Sequence, residues 1–360
     1  MGKKYRLGVV GLGEGRSIMS AALRSEKWQL VQVCDLNEQL CREREEEFSF
    51  AHWTTSYEAM LNNKEIDVIA IYTPDQLHFT HIKQALEAGK HVICTKPLLD
   101  SLQDGAQLLQ LAKQTDRQLF VGQSSRFFEP MLHQRRDFEQ GKHGELSVVE
   151  AHYKTDGRWF LQKDWSKQTG FSWMQNFMIH AVDLAKWYLP DVTEVTGYGF
   201  TSDNTKQYDI DVWDSMRFLM RNERGQMAQV AGDYALPTLD LTVEPSIACL
   251  LRGTKGISRA EYSNLDYYTK FSGEGKKSYN FDERRDYYFR FEGNSHHAGE
   301  YQNYIEYFAE CLDNNQTALP DAREAIHTLA IMEAMTISAK HGGQPIKIAD
   351  VLQQYHIVFE

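Results

Sequence analysis

Two rhythms of apolar and polar residues alternate along the first third of the chain. Short runs rich in β-branched residues alternate with longer amphipathic runs, as strands and crossover helices do in a parallel sheet. The run Val68–Tyr72 is apolar throughout, as expected for a strand that is covered on both faces. The predicted strands are Tyr5–Val10, Leu30–Cys34, Val68–Tyr72, His91–Cys94 and Leu119–Val121. The predicted helices are Ser17–Ser25, Glu38–Glu47, Phe79–Ala88 and Leu102–Thr115.

Beyond residue 123 the pattern changes to long runs of alternating polarity separated by turn signals, which is typical of antiparallel strands with one solvated face. The predicted strands are Leu146–Lys154, Val195–Thr201, Val212–Arg221, Gln226–Tyr234, Ser246–Arg252 and Gly256–Tyr262. Helical periodicity marks Met131–Gln140, Phe171–Tyr188, Ala298–Leu312 and Ala322–His341.

These patterns predict two domains. An α/β Rossmann domain is expected over residues 1–123 and an α+β domain with a mainly antiparallel open sheet over residues 124–360. The length of 360 residues agrees, because it exceeds what one hydrophobic core usually holds.

Composition and charge narrow the class of protein. Hydrophobic residues make up 42% of the chain and charged residues 25%, which excludes a disordered protein. The formal charge of −11 opposes phosphate backbones and anionic lipid surfaces, so neither nucleic acid nor a membrane is an expected partner. The five cysteines form no CxxC pair, and no apolar run approaches a membrane span. A cytoplasmic protein without a metal site is expected.

A glycine-rich turn directly follows the first predicted strand. Gly11, Gly13 and Gly15 precede a predicted helix, which is the context of a dinucleotide-binding turn. Such glycines let backbone N–H groups approach a pyrophosphate at a helix N-terminus. Arg16 occupies the place of the third fingerprint glycine, so a turn without a ligand remains an alternative.

Asp35 ends the second predicted strand about 20 residues after the glycines. At this place a carboxylate accepts hydrogen bonds from ribose hydroxyls and repels a 2′-phosphate, which favours NAD over NADP. The alternative is an aspartate that only caps the next helix.

Two further segments follow predicted parallel strands and therefore lie at the edge where doubly wound sheets bind ligands. One contains Thr73 and Pro74, and the other contains Lys96 and Pro97. A lysine in such a crevice is partly desolvated and can donate a proton or a hydrogen bond to a substrate oxygen. The alternative is a solvated surface lysine.

In the second domain, Asn176, His180, Asp183 and Trp187 are spaced to share one face of a predicted helix. His180 suits a general base, because histidine titrates near neutral pH. A structural His–Asp pair or a metal site are the alternatives.

Taken in order, these residues resemble the glucose-fructose oxidoreductase / inositol dehydrogenase family (Gfo/Idh/MocA). The matching segments are the glycine turn, Asp35, Thr73-Pro74 with His78, Thr95-Lys96-Pro97, Arg126, and the run from His180 to Trp187. The resemblance implies NAD(P)-dependent redox chemistry on sugars or cyclitols, and an open sheet used for dimer or tetramer contacts. The resulting cofactor-binding set is Gly11, Gly13, Glu14, Gly15, Arg16, Asp35, Thr73, Pro74, His78, Lys96 and Pro97.

By the same resemblance, Lys96 and His180 match catalytic residues and Asp183 matches a substrate-contacting carboxylate. Asn176 departs from the family, because many members have an aspartate there, and an amide cannot act as a base. Thr95 replaces a glutamate and Met178 replaces a glycine.

The expected function is therefore a dehydrogenase in which His180 removes a hydroxyl proton and Lys96 stabilises the alkoxide. Side chains expected to contact the substrate are Asn176, Asp183, Arg126, Tyr153, Arg158 and Trp165. Two alternatives remain open: an NAD-dependent glycosidase of the same fold, and a non-catalytic regulator that senses NAD or sugars.

Overall fold

The computed structural model describes residues 4–48, 52–167, 171–240, 242–282 and 299–359. The chain divides into two compact units. The described part of the first unit comprises residues 4–48, 52–127, 299–326 and Phe359. That of the second comprises residues 128–167, 171–240, 242–282 and 327–358. The predicted division at residue 123 lies close to the first of these boundaries. The sequence prediction placed residues 299–326 in the second domain, whereas in the structure they group with the first unit.

The strands, numbered along the chain, are β1 Tyr5–Val10, β2 Trp28–Cys34, β3 His52–Thr54, β4 Val68–Ile71, β5 His91–Thr95, β6 Leu119–Gly122, β7 Leu146–Lys154, β8 Glu194–Phe200, β9 Ser215–Arg221, β10 Met227–Asp233, β11 Ile247–Gly253, β12 Gly256–Glu261, β13 Asp266–Phe271, β14 Lys277–Asn280 and β15 Ile346–Lys347. The helices are α1 Arg16–Arg24, α2 Glu38–Phe48, α3 Tyr57–Asn62, α4 His78–Glu87, α5 Gly105–Gln114, α6 Glu129–Glu139, α7 Ile179–Tyr188, α8 Asp203–Lys206, α9 Glu300–Asp313, α10 Ala322–Lys340 and α11 Ile348–Gln354.

The first unit is built on a parallel sheet with the order β3-β2-β1-β4-β5-β6. This is the doubly wound order, in which the chain reverses direction across the sheet between β1 and β4. Every residue of β4 and β6 is buried, as the apolar runs predicted. The predicted Rossmann domain is confirmed, and the carboxyl ends of β1, β4 and β5 carry the segments singled out in the sequence.

Helix α9 completes the first unit from late in the chain. The indole N–H of Trp28 donates to the carbonyl of Ile305 at 3.0 Å, and the Trp28 ring stacks on Phe308. Phe120 of β6 packs against Tyr304 with ring centroids 4.6 Å apart. Burial of these aromatic side chains holds α9 on the sheet.

The second unit contains a mixed sheet with the order β14-β13-β12-β11-β7-β10-β9-β8-β15. Its described strand pairs are antiparallel except β7–β10, so the prediction of a mainly antiparallel sheet is confirmed. Three strands of this sheet, β13, β14 and β15, were not predicted, and neither was β3 of the first unit. All four residues of β14 are exposed, so it has no apolar alternation to reveal it.

One face of this sheet is covered by α6 and α7. On β9 the covered face buries Met216, Phe218 and Met220, while Arg217, Leu219 and Arg221 alternate with them and are exposed. The opposite face therefore presents a mixture of apolar and charged side chains, as an open sheet does.

A buried polar network lies between α6 and the sheet. His143 has no exposed surface, and its Nε2 lies 2.7 Å from the Ser258 hydroxyl. Burial lowers the pKa of His143 from 6.5 to about 4, although the carboxylate of Asp137 opposes the shift; the ammonium of Lys142 adds to it.

This histidine is expected to make the protein less stable in mild acid. Between about pH 6.5 and 4 the unfolded chain binds a proton that the folded imidazole does not bind. The free energy of unfolding should therefore decrease over this range, by up to ~3 kcal/mol. Urea titrations at several pH values should show a smaller decrease for His143→Gln than for the wild type. Equal decreases would contradict the assignment.

Candidate active site

The turn after β1 requires glycine at two positions. Gly11 has a φ of +86°, and a Cβ there would clash with the backbone carbonyl of Tyr72. A Cβ on Gly15 would clash with the carbonyl of Gly11. The close approach expected of the third fingerprint glycine is thus made by Gly15, and α1 begins at Arg16. This explains why the fingerprint tolerates Arg16.

Gly13 and Glu14 form the exposed tip of this turn. No described atom outside the immediate chain neighbours lies within 4 Å of where a Cβ of Gly13 would stand. The backbone of this turn is therefore accessible at the N-terminus of α1, an arrangement that suits the binding of a pyrophosphate.

Asp35 lies directly after β2 and is half-buried. Its Oδ2 accepts the Leu12 N–H at 2.8 Å, and its Oδ1 accepts the Asn37 N–H at 2.9 Å. Each carboxylate oxygen of Asp35 can accept a further hydrogen bond from a ribose hydroxyl. The backbone N–H groups of the turn and the carboxylate of Asp35 therefore fit a dinucleotide.

His78 links the two other segments of the predicted cofactor site. It has no exposed surface; Nε2 lies 2.8 Å from the Thr73 carbonyl oxygen and Nδ1 lies 2.8 Å from the Pro97 carbonyl oxygen. Both ring nitrogens lie within hydrogen-bonding distance of backbone carbonyl oxygens, so His78 positions these segments. A direct contact with a cofactor, as the sequence suggested, would require the ring to leave these backbone partners.

Lys96 follows β5 and precedes a cis peptide bond to Pro97. Burial lowers the pKa of its ammonium from the ordinary 10.5, while the carboxylates of Asp75 and Glu14 oppose the shift. Lys96 is thus a partly desolvated cation with acidic neighbours at the carboxyl edge of the sheet, which suits it to act on a substrate oxygen.

Tyr301 of α9 also belongs to this edge and was not predicted. Its ring centroid lies 6.4 Å from that of Tyr72, and burial, followed by the charges of Tyr72, Glu300 and Glu14, raises the pKa of its hydroxyl well above the ordinary value. No local signal in the sequence marks Tyr301, because α9 joins the first unit from far along the chain.

In the second unit, the predicted helix Phe171–Tyr188 is divided in two. Residues Met174–Met178 form a π-helical turn, and α7 continues from Ile179. Such turns are frequent at functional sites. The wider turn changes the face on which Asn176 stands relative to His180, so the simple helical spacing applies only from His180 onward.

Tyr153 and His180 are brought together on β7 and α7. Their ring centroids lie 5.6 Å apart in an edge-to-face arrangement, and both side chains are partly exposed. Tyr153 also packs edge-to-face on Tyr234. The Asn176 side-chain oxygen accepts the Ser172 N–H at 3.3 Å.

The remaining predicted substrate contacts have other partners. Asp183 is 1% exposed and lies 3.5 Å from the Thr328 hydroxyl. Arg126 is 2% exposed and donates to Glu324 at 2.8 Å, so little of its surface is open to a substrate. Arg158 forms two hydrogen bonds with Asp156. The helical turn Asp164–Lys167 contains Trp165, whose side chain lies outside the described residues.

Comparison with protein families decides the class. A family model described as an oxidoreductase family with an NAD-binding Rossmann fold matches residues 5–123, and the C-terminal α/β domain of the same family matches residues 135–348. The chain belongs to the Gfo/Idh/MocA oxidoreductase family. The predicted family, the NAD-binding first domain and the oxidoreductase class are thereby confirmed.

Among curated Gfo/Idh/MocA relatives, a 1-carboxy-3-chloro-3,4-dihydroxycyclo hexa-1,5-diene dehydrogenase of Comamonas testosteroni is 31% identical over 42% of this chain and 38% of its own length. The match thus spans less than half of that relative. A scyllo-inositol 2-dehydrogenase (NAD(+)) of Bacillus subtilis is 25% identical over 86% of this chain and 85% of its own length.

The solved structure of a putative myo-inositol dehydrogenase from Sinorhizobium meliloti superimposes with a TM-score of 0.79 at 20% identity, covering 96% of this chain and all of that chain. This similarity shows that the Gfo/Idh/MocA fold extends through both units. None of the helices in the described ranges has the length and apolar character needed to cross a membrane. The described residues also contain no cluster of three or more His, Cys, Asp or Glu side chains able to hold a metal ion.

Proposed function

We propose that this protein oxidises a secondary alcohol of a sugar or cyclitol with NAD. The observation that carries the proposal is the environment of Lys96, a partly desolvated cation at the carboxyl edge of an NAD-binding sheet. The names of a scyllo-inositol 2-dehydrogenase and of a putative myo-inositol dehydrogenase among the similar proteins support the substrate class.

The glycine turn, the N-terminus of α1 and Asp35 would hold the dinucleotide. Bound NAD supplies an acceptor for the hydride of the carbinol carbon. Thr73 and Pro97, fixed by His78, would line the same edge.

Two side chains of the protein would assist the removal of the hydroxyl proton, one as its acceptor and one by stabilising the charge left behind. His180 accepts the hydroxyl proton, because its imidazole is partly exposed and histidine titrates near neutral pH. Lys96 would donate a hydrogen bond to a substrate oxygen and stabilise the negative charge of the developing alkoxide.

Asn176 and Tyr153 would orient the substrate. An amide donates to and accepts from hydroxyl groups, and an aromatic ring packs on the C–H face of a sugar. Asp183 is buried one helical turn from His180 and would position α7. Only the small exposed part of Asp183 would contact the substrate.

A spectrophotometric screen of cyclitols, aldoses and sugar acids with NAD and with NADP tests the proposal. Net formation of NADH from a free polyol supports it. Hydrolysis of a glycoside without net NADH would instead identify an NAD-dependent glycosidase. Tight NAD binding without turnover of any compound in a broad panel would indicate a regulator and refute the proposal.

We also propose that the protein forms a homodimer or homotetramer through the open face of the second unit's sheet. Tyr198, Phe200, Leu219 and Met227 project large apolar side chains that are 47–64% exposed. Exposed apolar side chains on a sheet face are typical of surfaces that bind another protein. Sedimentation equilibrium should give a mass of two or four chains; a single-chain mass at micromolar concentration would contradict the proposal.

A reducing, cytoplasmic location is proposed as well. Cys34, Cys41, Cys94, Cys249 and Cys311 are all free and buried in the structure. Unpaired cysteines are typical of proteins in reducing compartments. Fractionation of cells that express the chain would place it in the soluble cytoplasmic fraction if the proposal holds.

A further inference from the structure

Two arginines and one glutamate form a cluster beside the glycine turn. Glu47, near the end of α2, accepts from Arg16 through Oε1 at 2.6 Å and from Arg44 through Oε2 at 2.8 Å. The Nε of Arg44 also donates to the carbonyl of Leu12 at 3.2 Å. We refer to Arg16, Arg44 and Glu47 as the Glu47 cluster.

The Glu47 cluster adjoins the carboxylate that would hold the adenosine ribose. Leu12 of the glycine turn donates its N–H to Asp35 at 2.8 Å, while its carbonyl accepts from Arg44. The two polar groups of one residue are therefore bound by Asp35 and by an arginine of the cluster. Arg16 belongs to the first turn of α1, on the same glycine turn.

The cluster places one carboxylate between two guanidinium groups. Each oxygen of Glu47 binds a different arginine, so one carboxylate engages two guanidinium groups. Paired guanidinium groups are the preferred protein ligands of a phosphate monoester, because they donate in fork geometry. Glu47 occupies those donors with a carboxylate, and Asp35 adds a second negative charge nearby.

We propose that Glu47 is a specificity-determining residue: it maintains the preference for NAD over NADP by engaging Arg16 and Arg44, which would otherwise bind the 2′-phosphate of NADP. This inference rests on the proposed function, since it concerns the cofactor of that reaction. Asp35 repels the 2′-phosphate directly, whereas Glu47 acts through the two arginines.

The decisive measurement is ligand binding rather than turnover. Isothermal titration of Glu47→Gln with 2′,5′-ADP should give a dissociation constant at least about tenfold lower than that of the wild type, because the freed arginines gain charge-assisted hydrogen bonds to the 2′-phosphate. Binding of 5′-AMP, which lacks this phosphate, should change by less than about twofold.

Glu46→Gln is the matched control, because it removes the same charge from an exposed neighbour on the same helix. Adding both Arg16→Ala and Arg44→Ala to Glu47→Gln should abolish the gain. Equal 2′,5′-ADP binding by the Glu47 and Glu46 variants would overturn the proposal, as would a gain that survives the loss of both arginines.

Turnover provides a second readout that separates this inference from the proposed function. With any substrate found in the screen, Glu47→Gln should raise kcat/KM for NADP relative to NAD about tenfold. If no alcohol is oxidised by the wild type, the proposed function fails, while the 2′,5′-ADP titration still tests Glu47. A wild type that binds 2′,5′-ADP as tightly as 5′-AMP refutes the inference about Glu47 alone.

Discussion

Replacing Lys96 with methionine is expected to lower kcat for alcohol oxidation by about a thousandfold, within the range typical of a lost proton donor or charge stabiliser. Methionine keeps the length of the side chain and removes its charge, so the alkoxide loses its cation. Stopped-flow and steady-state assays with a substrate from the screen measure the effect.

The control for Lys96→Met is Lys113→Met, which removes an exposed lysine from α5. Lys113→Met should retain wild-type kcat. The NAD dissociation constant of Lys96→Met should change far less than its kcat, because the proposed role lies in the reaction. Wild-type turnover by Lys96→Met would show that the lysine has no part in the chemistry.

The lowered pKa of Lys96 adds a pH dependence to this expectation. The ammonium of Lys96 loses its proton at a lower pH than the ordinary 10.5, because it is buried. If the charged form is required, the wild-type rate should decline at alkaline pH before an ordinary lysine titrates. Lys96→Met should lack this decline.

His180→Ala is expected to lower kcat by about a hundredfold to ten-thousandfold near neutral pH, since the hydroxyl proton then has no positioned acceptor. Added imidazole should restore part of the rate, because the vacated volume lies beside the ring of Tyr153. The control is His341→Ala, which alters an exposed histidine after α10. Loss of activity that neither imidazole nor higher pH restores would indicate a structural role instead.

The parallel sheet of the first unit could be predicted, because it is encoded in the local pattern of apolar and polar residues. The apolar runs of β1, β4 and β6 are short, mostly buried and separated by amphipathic helices, and that order favours a parallel sheet. The same pattern predicted where the reactive side chains lie, because Lys96 directly follows the last residue of β5 and so stands at the carboxyl edge of the sheet.

Other features depend on contacts that sequence spacing does not encode. Arg126 looked available to a substrate, yet it pairs with Glu324, which lies 198 residues later. The turn before α7 is π-helical, with more residues per turn than an α-helix, and the periodicity of the sequence does not reveal this. Gly15 takes the role expected of the third fingerprint glycine, because a Cβ at this position would clash with the carbonyl of Gly11. This close approach is visible only in the folded turn.

The attachment of α9 to β2 and β6 has a consequence for biosynthesis. While the ribosome is still translating the middle of the chain, Trp28 and Phe120 lack the partners Ile305, Phe308 and Tyr304. The nucleotide-binding unit therefore remains incomplete until almost the whole polypeptide has been made. A gene fragment that stops at residue 123 would encode a sheet with an uncovered aromatic surface, prone to aggregate when expressed alone.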